Sequence, residues 1–216
     1  MAYTPPDAGP FRGVLAVTAA YFVVYYALMT LQIKGKKHAR GASGLDRAGW
    51  NRATDLHPIW VMADRSFLNA LEQQVAFLLP LWLHAVFVCP TVSAYVGAVA
   101  VVSRLLFPIF WSVKGGWNLL IEASTQPYYM CVCYFLGALL TVAAADVNIV
   151  SETPSWALPL LVLGYYVAIM LVVYPLGTLL YKITVPGFAA AEAAAAAEGV
   201  DASKEPLTGA PKQGTE

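Results

Sequence analysis

The sequence predicts an all-α integral membrane protein, a bundle of transmembrane helices followed by a polar tail. Two observations predict it. Of 216 residues, 59% are hydrophobic and only 12% charged, with a mean hydropathy of +0.61, far from an average soluble domain. The apolar residues are also gathered into runs of about the length needed to span a bilayer. Zero formal net charge gives no whole-protein attraction to nucleic acid, and no basic stripe interleaved with aromatics suggests base stacking.

Residues 1–12 form a short polar segment rich in proline. Residues 13–33 are the first span: the run exceeds the apolar region of a secretory signal, and no small-residue cleavage pattern follows it. Residues 34–64 are the only long polar segment inside the chain and are expected as a surface loop. It opens Lys34-Gly35-Lys36-Lys37-His38-Ala39-Arg40 and adds Arg47 and Arg52, so the positive-inside rule places it in the cytoplasm. The same cations also fit a phosphate- or lipid-binding patch.

A second span over 67–88 is joined by the tight turn Cys89-Pro90-Thr91 to a third over about 92–111, packed antiparallel to it. Residues 114–126 are a short inner connection, 127–145 the fourth span, 146–155 an acidic outer loop and 156–181 a fifth span anchored by Lys182. Pro186-Gly187 is expected to stop the last helix. Residues 189–198 are alanine-rich, and 199–216 have the composition of a disordered tail. The chain thus divides into 1–12, a transmembrane domain over 13–182, and a low-complexity tail over 183–216.

Arg65, Asn69 and Glu72 are spaced four and three apart, which puts them on one helical face in the first turns of the second span. A carboxylate and an amide inside a membrane cost several kcal/mol unless paired, so they face other helices or a wet cavity. Two roles fit them: a structural clamp, in which Glu72 pairs with an arginine of a neighbouring helix, or a small-molecule site. Arg104 is the one charge of the third span and lies at a similar depth, with Pro108 loosening the helix end beside it.

Other chemistry is sparse. No nucleophile elbow, zinc-protease helix, phosphate loop or dinucleotide fingerprint occurs, and Gly115-Gly116 is a turn. Cys89, Cys131 and Cys133 are odd in number and lie in or at the edge of apolar runs, as buried thiols do. His38 and His57 fall in the polar segment, and His84 stands alone on an apolar helix, where an interhelical hydrogen bond is expected. No metal centre is expected.

The motif Arg65-x-x-x-Asn69-x-x-Glu72 opening the second span, followed by a tight turn and a third span ending Ser103-Arg104-Leu105-Leu106-Phe107-Pro108, resembles the family of membrane-associated proteins in eicosanoid and glutathione metabolism (MAPEG). Microsomal glutathione transferases, leukotriene C4 synthase and the lipoxygenase-activating protein belong to it. The resemblance covers residues 14–145. It implies a four-helix transmembrane bundle assembled as a homotrimer in the endoplasmic reticulum or another intracellular membrane, with glutathione held between protomers as co-substrate. By position, Arg65 would contact a glutathione carboxylate, Asn69 and Glu72 its backbone and amino group, and Arg104 would complete the site. Glutathione carries two carboxylates and an ammonium, which arginines and a glutamate complement.

Three positions depart from the family. Gln73 stands where an aromatic hydroxyl follows the glutamate, Phe107 and Trp111 where two tyrosines follow the third-span arginine, and Asn118 near the arginine credited with stabilising the thiolate. The thiolate-stabilising candidates that remain are Arg104 and Lys114, with Gln73 and Trp111 lining the site. The fifth span lies outside the family's plan. The resemblance implies a glutathione transferase or peroxidase acting on lipophilic electrophiles, and the departures favour a non-catalytic membrane scaffold or lipid-binding subunit on the same fold.

Overall fold

Helices account for all regular structure among the described residues, which in the computed structural model are 8–46, 49–52, 54, 56–115 and 118–197, with side chains to 187. A 3-10 turn at Gly9–Phe11 leads into α1, Arg12–Ser43. Then follow α2, Pro58–Glu72; α3, Gln74–Phe87; α4, Pro90–Ser112; and α5, Leu119–Ala145. A single turn, α6 at Ile149–Glu152, and a 3-10 turn at Ser155–Ala157 precede α7, Leu158–Ala197. Local chemistry sets several ends. Pro58 and Pro90 sit in the first helical turn, where a missing N–H leaves no bond unmade. Asn118 caps α5, its side-chain oxygen accepting the Leu120 N–H at 3.0 Å.

Five stretches are long and apolar enough to cross a membrane: Gly9–Ser43, Pro58–Phe87, Pro90–Ser112, Leu119–Ala145 and Ser155–Gly187. Their boundaries correct the sequence expectation in four places. α1 runs ten residues beyond 33, because Gly35 and Ala39 pack against α2 and the Trp50–Trp60 pair, so the surface loop shrinks to residues 44–57. α2 begins at Pro58 and not near 67, so Arg65 stands two turns inside the helix. α5 starts at its Asn118 cap, with Pro127 inside it. Finally, α7 passes through Pro186 and ends at Ala197, since the alanine run that follows has the strongest helix propensity available. Residues 1–7 and the expected disordered tail over 199–216 lie outside the described residues.

The chain falls into two compact units, Met1–Ile169 and Met170–Glu216, with the boundary inside α7. In the first unit, α4 packs against both α1 and α5, and α1 against α2. The main core joins Val14, Val17 and Tyr21 of α1 to Phe77 and Leu81 of α3, Ala100 and Val101 of α4, and Tyr128, Tyr134 and Phe135 of α5. A Cβ at Gly97 would lie 2.9 Å from both the Leu81 and the Val17 side chains, so the glycine lets α4 come close to its neighbours. Such contact matters because lipid is as apolar as the helices and packing must supply the association energy. Leu158, Leu161, Val162 and Tyr165 of early α7 pack on this core. In the second unit, side chains 171–187 are all exposed.

Candidate functional site

The second span is broken at Gln73, whose φ of −97° and ψ of 2° interrupt the helix between α2 and α3. A break inside a membrane frees backbone groups that water cannot reach, and other donors must satisfy them. At Ala70 a tyrosine hydroxyl does so, while the Gln73 carbonyl keeps the Phe77 N–H at 3.0 Å and takes a tyrosine hydroxyl as a second donor. Tyr21 of α1 donates to the Ala70 carbonyl at 2.8 Å, and Tyr128 of α5 donates to the Gln73 carbonyl at 3.2 Å.

Arg104 of α4 enters the same joint. It is 3% exposed; its Nη2 donates to the Gln73 side-chain oxygen, and its guanidinium lies 3.6 Å from the centre of the Tyr128 ring. Stacking of a desolvated guanidinium on an aromatic face is worth about 2 kcal/mol. The Arg104 Nε, also buried, makes no hydrogen bond. Among the described residues the one ion pair is Arg52–Asp64 at 2.8 Å, so Arg104 has no acidic partner. The amide of Gln73 is engaged at both ends, its Nε2 donating to the Tyr129 hydroxyl at 2.9 Å.

The sequence-predicted residues separate into two sets. Arg65 and Glu72 are exposed and Asn69 is half-buried, on the outward face of α2. None of the three makes a hydrogen bond or ion pair among the described residues. Arg65 lines a cavity of ≈ 410 Å³ with Arg52, Trp60 and Asp64. Gln73 and Arg104 meet inside the bundle. Thus Glu72 has no arginine partner among the described residues; its neighbour Gln73 is the residue that reaches Arg104.

Trp111 is buried with Phe107 and Ile121, the two rings 5.6 Å apart, in a small apolar cluster one turn beyond Arg104. Lys114 is exposed beyond the end of α4. Besides capping α5, Asn118 donates to the Phe110 carbonyl at 3.1 Å, which ties the α4–α5 connection. Tyr21, Tyr128 and Tyr129 were missed from sequence. The available signal was tyrosine well inside an apolar run, where such hydroxyls need partners.

A second polar joint lies near the other end of α3. His84 is fully buried, with Nδ1 2.7 Å from Ser93 Oγ and Nε2 3.1 Å from Tyr134 OH. Ser93 gives its own hydrogen to the Cys89 carbonyl at 2.8 Å, so His84 Nδ1 donates and Nε2 accepts from Tyr134. This is the interhelical role expected for a lone histidine. No group of three or more metal-ligating side chains occurs among the described residues.

Fold and site together define a multi-pass helical membrane protein whose interior holds a buried arginine with no acidic partner among the described residues. Compared with protein-family models, curated proteins and solved structures, the chain matches none.

Proposed function

We propose that the chain is a glutathione-binding membrane protein of the kind its motifs resemble, assembled as a homotrimer and conjugating glutathione to lipophilic electrophiles. One observation carries this: an ionisable face on α2 and a buried arginine, both without an ion-pair partner among the described residues. Its depth follows from Gln32, which donates to Asp64 at 2.8 Å where the apolar run of α1 ends. Eight residues separate Asp64 from Glu72, which at 1.5 Å per residue sets Glu72 about 12 Å inside the bilayer. A carboxylate at that depth requires a partner from a second protomer or a ligand.

In this proposal Arg65 and Arg104 take the two glutathione carboxylates, Glu72 the ammonium and Asn69 a peptide group. Gln73 must release Arg104 as the ligand enters. The hydroxyl that Phe107 and Trp111 lack comes from Tyr129, which accepts from Gln73 and keeps its own proton to donate to sulfur. Arg104 and Lys114 add positive potential that favours the thiolate. With an aryl halide, the sulfur lone pair forms the C–S bond, halide leaves with the C–X electrons, and the thiol proton passes to solvent.

The scaffold alternative is favoured by Gln73, whose amide already occupies Arg104, and by Asn118, committed to its cap. Calorimetric titration of the purified protein with glutathione, with mass measurement in detergent, separates the two. The expected result is a trimer that binds, with Glu72→Gln weakening binding by about 1.5–3 kcal/mol. A monomer that binds no glutathione would leave the scaffold.

A further inference from the structure

We infer that the overhanging end of α1 is a binding site for an anionic phospholipid, with the lipid phosphate held by Lys34, Lys37 and His38 and an acyl chain lying along the outer face of the same helix. The inference is independent of glutathione binding.

The three side chains, with Gly41 and Ala42 as floor, line a concavity of ≈ 490 Å³. The site has a firm base. Gly35, about 100° round the helix from Lys34, packs so closely that a Cβ there would lie 2.7 Å from the Ala63 Cβ and 3.3 Å from the Ile59 carbonyl of α2. One turn further, Ala39 is buried with Trp50 and Trp60, whose rings stand 5.4 Å apart. The lysines are therefore carried on a fixed helix and not on a floppy loop.

Depth identifies the ligand. The apolar run of α1 ends at Ile33, so Lys34 and Lys37 stand within about 6 Å of the hydrocarbon edge at 1.5 Å per residue. That interval is the headgroup layer, which adds roughly 5–8 Å to each side of the core. Below it, Val23 at 70%, Tyr26 at 57% and Ile33 at 58% exposure recur at helical spacing and lead up to Lys37. A free anion would use the cations alone; a phospholipid uses the cations and this stripe.

Among the described residues no carboxylate pairs with Lys34, Lys37 or His38. The nearby carboxylates are engaged elsewhere: Asp64 pairs with Arg52 and Gln32, and Asp46 accepts the Gly49 N–H at 2.6 Å. Lys36 on the flank points to Trp50, 5.5 Å from its ring centre, leaving Lys34 and Lys37 to face the basin.

The test is native mass spectrometry of the delipidated full chain in detergent, titrated with equimolar phosphatidylserine and phosphatidylcholine. Membrane orientation plays no part there, so any effect of these lysines on topology is excluded. Each lysine near a headgroup is worth about a fivefold change in affinity. The parent should prefer phosphatidylserine by roughly thirtyfold, Lys34→Gln with Lys37→Gln should approach parity, and Lys34→Arg with Lys37→Arg should retain the preference. Raising the parent to ~1 M salt, where screening acts over about 3 Å, should erase the preference with no substitution. Equal binding of both lipids by the parent, a preference unchanged in the glutamine variant or at high salt, or displacement of the lipid by millimolar inorganic phosphate would overturn the site.

Discussion

The two polar joints of the bundle solve the same problem in opposite ways. At His84 the Tyr134 hydroxyl, both ring nitrogens, the Ser93 hydroxyl and the Cys89 carbonyl form one chain in which each hydrogen has an acceptor. At Gln73 the Tyr21 hydroxyl satisfies the Ala70 carbonyl, yet Arg104 has no acidic partner among the described residues and an Nε without a hydrogen bond. A closed joint of neutral groups holds helices together. At the charged joint Arg104 is held by the Gln73 amide and the Tyr128 ring but left one bond short, and a charge buried in this way is costly.

This contrast can be broken by substitution. The largest effect is expected for Arg104→Met, which keeps volume and removes the charge. Glutathione binding should fall by about 1.5–3 kcal/mol, measured by calorimetry, while thermal stability holds or rises, since replacing an unpaired buried charge by an apolar side chain is neutral or stabilising. His84→Leu should do the reverse. It strands Ser93 and Tyr134 and should lower stability by about 1–2 kcal/mol in a denaturation series while leaving glutathione affinity within twofold. Smallest is Tyr21→Phe, which leaves the Ala70 carbonyl with one donor fewer. A loss of about 0.5–1.5 kcal/mol, read by the same denaturation, would sharpen the view that the Tyr21 hydroxyl stands in for a backbone bond at the break.

How much of this was legible beforehand follows from which forces act locally. Five apolar runs are a composition signal, and hydrocarbon thickness converts it directly into spans. Arg65, Asn69 and Glu72 announced themselves because charged and amide side chains are rare in such runs. Helix ends were harder. The continuation of α1 to Ser43 depends on Gly35 meeting Ala63, and the start of α5 on a capping asparagine in what reads as a polar connection. The break at Gln73 was not legible, since glutamine between two good helical segments carries no stop signal and its stabilising hydroxyls come from α1 and α5, more than 50 residues away for each of Tyr128 and Tyr129. The pairing of Arg104 with Gln73 follows from that break and was hidden with it.

The central claim, that one joint is open to a ligand and the other closed, is tested most directly by ligand-induced stabilisation. The parent, His84→Leu and Arg104→Met would be unfolded thermally with and without saturating glutathione. A ligand present at a hundred times its Kd stabilises by about 2.7 kcal/mol. The parent and His84→Leu should gain alike from glutathione, from different starting points, and Arg104→Met should start at or above the parent and gain little. Equal gains in all three proteins, or no gain in the parent, would contradict it.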